Sequence, residues 1–217
     1  MQEPSLLHAI HGQHFRLLPE KALIWEETST LILGDLHLGK ITHFRKAGIG
    51  LPSQAETENL ARLLTLILNH KLDRVLILGD LFHSHINEQW PIFKDFLQKF
   101  DSLPFVLIKG NHDILAEDNY KADNLVVYPE TLIEGPFIFS HHPLDDPKDN
   151  YNIHGHIHPS VLLKGVGLQS LKLPCYHFGL NHLVVPAFGT FTGTAKVTPV
   201  PEDAIYAIAQ DKVVRVH

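Results

Sequence analysis

Three short apolar runs, Leu31–Leu33, Arg74–Leu78 and Phe105–Ile108, each break off into glycine and a potential ligand: Gly34-Asp35, Gly79-Asp80 and Gly110-Asn111. Runs of this length without polar alternation suit strands buried on both faces. The stretches between them carry helical periodicity. Ser53–His70 opens on a capping pair, Ser53 and Glu56, and repeats Leu60, Leu63, Leu64, Ile67 and Leu68 at core spacing. A second helix, at about Glu88–Phe100, sets Trp90, Phe93, Phe96, Leu97 and Phe100 on one side. Strand, helix, strand, helix, strand is the pattern of a largely parallel sheet, whose sites lie beyond the carboxyl ends of its strands. Asp35, His37, Asp80, Asn111 and His112 all fall there.

The remainder of the chain reads differently. A hairpin over His14–Glu26 leads into the strand Thr30–Leu33. After Asp113 come short strands at Leu125–Val127, Thr131–Glu134 and Phe137–Ser140, the last ending in His141-His142-Pro143. Asn152–Pro159 then reads N-I-H-G-H-I-H-P, with His154, His156 and His158. From Val161 to His217 the chain is short strands and turns, antiparallel in tendency and without a long helix. No repeat, low-complexity tract or linker divides it, so residues 1–217 are expected to form one domain.

Composition excludes several classes of function. The 217 residues carry a formal net charge of −6, unlike a protein that grips DNA through a basic surface alone. No apolar run approaches the roughly 18–20 residues of a membrane span, so no membrane partner is expected. One cysteine and an N-terminus without a secretory pattern make a cytoplasmic protein the expectation. Seventeen histidines are many for the length, and histidine is the commonest metal ligand among side chains.

Position decides what those histidines mean. In chain order the polar groups at segment ends are D-x-H, G-D, G-N-H-D, H-x-P and G-H-x-H. On an extended backbone Asp35 and His37 would point to one side and reach one point. Each motif alone fits a turn or a satisfied polar pair. All five are used together only by two metal ions, with the Asp80 carboxylate between them. Lys40, His43, Arg45 and Lys46 form a locally basic loop after D-x-H. It is either a solvated loop or a phosphate clamp in which Lys40 and Arg45 take part.

This ordered set, from Leu31 to Pro159, resembles the calcineurin-like metallophosphoesterase family. The resemblance implies an α/β fold, a four-layer αββα sandwich with two mixed β-sheets. It also implies that Asp35, His37 and His158 hold one ion, that Asn111, His141 and His156 hold the other, and that Asp80 bridges. His141 is preferred to His142 because the family's ligand stands two residues before proline. His112 matches the family's catalytic histidine, and His154 and His83 are left to supporting roles.

Further strings, G-D-L-H-L-G-K with F-R and G-I-G-L-P, G-D-L-F-H, and P-A-F-G-T-F-T-G at Pro186–Gly193, resemble the bacterial ligase-associated DNA-damage-response phosphoesterases, the PdeM group. That resemblance implies a manganese-dependent phosphodiesterase or endonuclease working on DNA beside a DNA ligase, a helicase and an exonuclease. Mixed oxygen and imidazole ligands suit Mn, Fe or Zn, and manganese rests on the resemblance. The expected reaction is attack on phosphorus by a hydroxide shared between the ions, with His112 as general acid. Two other readings are a phosphoesterase for a small nucleotide or cyclic nucleotide and a non-enzymatic binding module on the same fold.

Overall fold

A computed structural model describes residues 4–39, 54–83, 89–165, 169–190 and 192–217. Two mixed sheets face each other. The first runs β1 (Leu6–Ile10), β2 (Gln13–Leu17), β3 (Leu23–Trp25), β4 (Thr30–Leu33), β5 (Arg74–Leu78), β6 (Phe105–Ile108) and β7 (Leu125–Tyr128), side by side in chain order. Strands β1 to β4 pair antiparallel; β4 to β7 pair parallel. The crossovers between parallel strands carry helices α1 (Gln54–Asn69) and α2 (Gln89–Gln98).

Alternation along β4 sorts its side chains. Leu31 and Leu33 join Leu63 and Ile67 of α1 and Phe93, Phe96 and Leu97 of α2 in one core. Ile32 turns the other way, into a second core between the sheets with Phe15, Leu76, Phe139, Tyr176 and Leu183. That second core fixes the stacking of the sheets, because neither inner face has another apolar surface to bury against.

The second sheet takes β8 (Thr131–Glu134), β9 (Phe137–Ser140), β10 (Tyr151–His154), β11 (Pro159–Lys164), β12 (Ser170–Phe178), β13 (His182–Val184) and β14 (Ala195–Lys196) in the order β14-β11-β12-β13-β10-β9-β8. β15 (Ala204–Ala209) pairs with β12 and with β16 (Lys212–Arg215). The expected α/β sandwich of two mixed sheets is what forms, and both described α-helices cover the first sheet. Among the described residues no helix is long and apolar enough to cross a membrane.

Three local readings change. β1 goes unannounced, since its burial alternates only weakly as an outer strand. On α1 the buried row is Asn59, Leu63, Leu66 and Ile67, while Leu64 and Leu68 are exposed; the apolar stripe is broader than the face that meets the sheet. β12 runs on through Pro174, which lies opposite Ser160 at the place where the strand leaves β11 for β13 and β15. A proline is tolerated there because one ladder ends as another begins. The Ser53–Glu56 capping pair lies outside what is described.

Candidate metal centre

The carboxyl ends of β4, β5 and β6 and the loops after β9 and β10 converge at one edge between the sheets. The D-x-H loop is not an extension of β4. Asp35 and His37 have φ of 57° and 49°, so the argument from an extended backbone fails. Asp80, His156 and His158 also have left-handed φ, at 50°, 66° and 52°. That conformation costs a non-glycine residue about 1–2 kcal/mol. It persists because neighbouring loops bond to it. Asp35 N–H donates to Gly79 O and His37 N–H to Asp80 O, at 3.1 and 2.9 Å. Gly189 N–H donates to Asp35 O at 2.9 Å. Gly189 of the Pro186–Gly193 string thus ties to the D-x-H loop.

Glycines make room for ligands of other motifs. A Cβ on Gly110 would stand 2.3 Å from Asp80 Oδ1, and one on Gly155 would stand 2.6 Å from Asp35 Oδ2. This explains why the acidic residues and these glycines occur together although they are far apart in sequence.

The candidate ligands fall into two half-sites. Asp35, His37 and His158 offer donor atoms within 4.8 Å of one another. In the second, His141 Nε2 lies 3.1 Å from Asn111 Oδ1, 3.1 Å from His156 Nδ1 and 3.5 Å from Asp80 Oδ1. Asp80 reaches both: its other oxygen, Oδ2, is 3.7 Å from His37 Nε2. The structure therefore brings together all seven residues singled out as ligands; donor atoms of Asp35, Asp80 and His141 also lie within 4.8 Å of one another, as do those of His141, His142 and His156. His142 stands beside them. Its ring is 4.7 Å from that of His141 and 4.2 Å from that of His156. It is exposed, whereas His141 is buried and turned toward Asp80.

The donor set fits a cation. His141 Nδ1 faces Leu78 O at 3.0 Å, and His158 Nδ1 faces Gly193 O at 3.0 Å. A carbonyl can only accept, so each Nδ1 carries a proton, and without a second proton each ring turns a lone pair outward at Nε2. Those lone pairs then face oxygens at 3.1 Å, Asn111 Oδ1 and Asp35 Oδ1. Acceptor against acceptor repels unless positive charge, a second ring proton or a bound cation, lies between. Asp35 Oδ1 is buried and makes no hydrogen bond among the described residues, as an oxygen reserved for an ion would. Backbone carbonyls that lock the tautomer of a ligating histidine are the usual support of such sites.

His112 lies at the rim. Its backbone N–H donates to Asp80 Oδ1 at 2.9 Å, and its Nδ1 faces His83 O at 3.2 Å. Its ring is 5.5 Å from that of His37 and stacks at 5.2 Å on that of His83. His154 is buried, and burial first of all pushes its ring down to about 4, so it is neutral near pH 7. It bonds to Gly155 O and stands behind the ligands. Lys40 and Arg45 lie outside the described residues.

Two supporting residues were not singled out in the sequence. Asp113 is buried and accepts from Gly110 N–H, Phe82 N–H and Leu81 N–H, tying the G-N-H-D loop to the G-D loop. Burial above all raises its carboxyl to about 6. Asn59 of α1 is also buried; it donates to Leu36 O at 3.3 Å and accepts from Thr190 N–H at 3.2 Å. Asp113 had a signal, its place in a motif. Asn59 had none, because apart from Arg62 on its own helix its partners are backbone atoms of distant loops.

A family model described as calcineurin-like phosphoesterase matches residues 28–192. The chain belongs to the calcineurin-like phosphoesterase family. As a member it is a metal-dependent hydrolase of phosphoester bonds. The crystal structure of the nuclease MPE from Pseudomonas putida is similar to it, with a TM-score of 0.83 and 28% identity over 98% of this chain and 100% of that one. A protein of unknown function from Aquifex aeolicus aligns at a TM-score of 0.40 and 20% identity, over 64% of this chain and 82% of that one. No curated protein matches the chain.

Proposed function

We propose that this phosphoesterase is a DNA phosphodiesterase, an endonuclease or DNA-end-processing enzyme, with little sequence preference. The observation that carries the reading is the division of Asp80, with Oδ2 toward His37 and Oδ1 toward His141. One carboxylate facing two half-sites is an arrangement for two ions, and two-ion sites serve in-line displacement at phosphorus. The DNA substrate is supported by the likeness to a nuclease along nearly the whole of both chains. Manganese, and work in DNA repair beside a ligase, a helicase and an exonuclease, extend this reading from the PdeM-like strings.

Asp35, His37 and His158 would hold one divalent ion, Asn111, His141 and His156 the other, and Asp80 both. Ions bound there supply Lewis acidity, which activates water near neutral pH and offsets charge on the phosphoryl oxygens. The chain's own residues do the rest. Leu78 O and Gly193 O keep His141 and His158 in the ligating tautomer. His83 O accepts from His112 Nδ1–H, so His112 would act as acid in its doubly protonated form, giving the Nε2 proton to the leaving oxygen and returning to the neutral ring. The His112 N–H bond to Asp80 Oδ1 keeps that acid in register with the centre.

The test is a Mn²⁺-dependent assay of plasmid DNA beside bis-p-nitrophenyl phosphate and cyclic nucleotides. The reading expects nicking of plasmid and hydrolysis of the small diester. Cleavage of small diesters or cyclic nucleotides with plasmid untouched would move the substrate to a small nucleotide.

A further inference from the structure

We propose that the groove lined by Lys21 and Arg62 is a second anion site, which takes a backbone phosphate of a polynucleotide remote from the bond being cut. The inference rests on the DNA reading for its ligand class and on the following geometry for its place.

β3 runs antiparallel to β4 with Leu23 opposite Ile32, so the Leu18–Ala22 turn stands at the same end of the first sheet as Asp35. The turn is pinned from below. The fully buried Tyr176 donates its hydroxyl to Leu18 O and Ala22 O at 2.7 and 2.6 Å. Lys21 sits at the turn with a left-handed φ of 66°. Across the groove, Arg62 is fixed by bonds from Nη2 to Asn59 Oδ1 and Phe188 O, and by the Phe188 ring 4.2 Å beneath its guanidinium. Phe188 and Gly189 in turn donate to Gly34 O and Asp35 O. The groove is therefore one loop away from the metal centre.

Both side chains are half-buried, and neither makes an ion pair with a carboxylate among the described residues. Glu20 and Asp211 also line the groove, Glu20 and Glu58 lie near enough to attract Arg62 without pairing with it, and Arg16 there is already paired with Glu26 at 2.6 Å. Burial first, then the Arg62 charge, lowers the Lys21 ammonium to about 8. Two cations held by rigid supports and repelling each other are stabilised by an anion set between them. The groove is about 1010 Å³ and open, so it suits a passing strand better than an enclosed small molecule. A single-stranded polynucleotide bound at the metal centre and at Lys21 would gain a contact that a small diester cannot make.

The test uses the whole chain without added metal and a fluorescent single-stranded oligonucleotide followed by anisotropy. Lys21→Gln keeps most of the side-chain stem; Lys99→Ala removes an exposed cation just past the end of α2 as the control. The expected result is a Kd raised about 5- to 10-fold by Lys21→Gln, with the slope of log Kd against log salt reduced by about 0.7, and no change for Lys99→Ala. Hydrolysis of bis-p-nitrophenyl phosphate should be unchanged by Lys21→Gln. Equal weakening by both variants, no weakening by Lys21→Gln, or parallel loss of small-diester hydrolysis would overturn the site. Failure of wild type to cleave DNA while binding still depends on Lys21 would overturn the nuclease reading and leave the site standing.

Discussion

The carboxylate of Asp80 accepts a 2.9 Å hydrogen bond from the backbone N–H of His112, not from its ring. The candidate metal shell and the candidate acid are thus coupled through main chain. His112→Ala should keep that bond, keep both metals and lose turnover by about 10²- to 10⁴-fold. Metal content by elemental analysis, measured beside kcat, checks it. Loss of an ion in this variant would mean that His112 is a ligand.

Asn59 joins three segments through one amide. In Asn59→Ala the bonds to Leu36 O, from Thr190 N–H and from Arg62 Nη2 are lost, at a cost of about 1–3 kcal/mol in stability. Because Leu36 lies between Asp35 and His37, Mn²⁺ affinity should fall about 10- to 100-fold. Asn59→Asp keeps an acceptor for Thr190 and Arg62, removes the donor to Leu36 O and sets a carboxylate oxygen against that carbonyl. Its effect on Thr190 contacts should be smaller. Calorimetric titration with Mn²⁺ and urea unfolding separate the two terms.

How much of this was legible depends on the range of the interaction. The parallel core strands and both helices follow from local apolar runs, and the candidate ligand set from motifs in which each residue type has its own chemistry. The backbone at the site was not legible. Asp35 and His37 were expected on an extended strand and instead adopt left-handed φ, because the cross-loop bonds to Gly79, Asp80 and Gly189 override local preference. Residues three or four apart on α1 all looked alike, and only the sheet selects Leu66 over Leu64 and Leu68.

Gly155 gives a steric test of the same packing. An added Cβ would meet Asp35 Oδ2 at 2.6 Å. Gly155→Ala should displace that carboxylate and reduce bound Mn²⁺ while the far-ultraviolet spectrum stays native. Metal content equal to wild type would show that the loop can yield.

Asp203 provides a pH test away from the centre. Burial raises its carboxyl, but Val200 N–H and the His177 ring, each at 2.9 Å, outweigh this and lower it below 3.8. A depressed carboxyl contributes stability fully above its unfolded value and loses it as pH falls through the folded value. Asp203→Asn should cost about 1 kcal/mol at pH 7. Its difference from wild type should shrink as pH drops below about 3.8. Urea midpoints across that range report it.

The most direct measurement is titration of metal-free protein with Mn²⁺ under electron paramagnetic resonance. Two ions per chain with magnetically coupled spins are predicted, and Asp80→Ala should abolish the coupling. One ion per chain, or two that ignore each other, would contradict a centre built around Asp80.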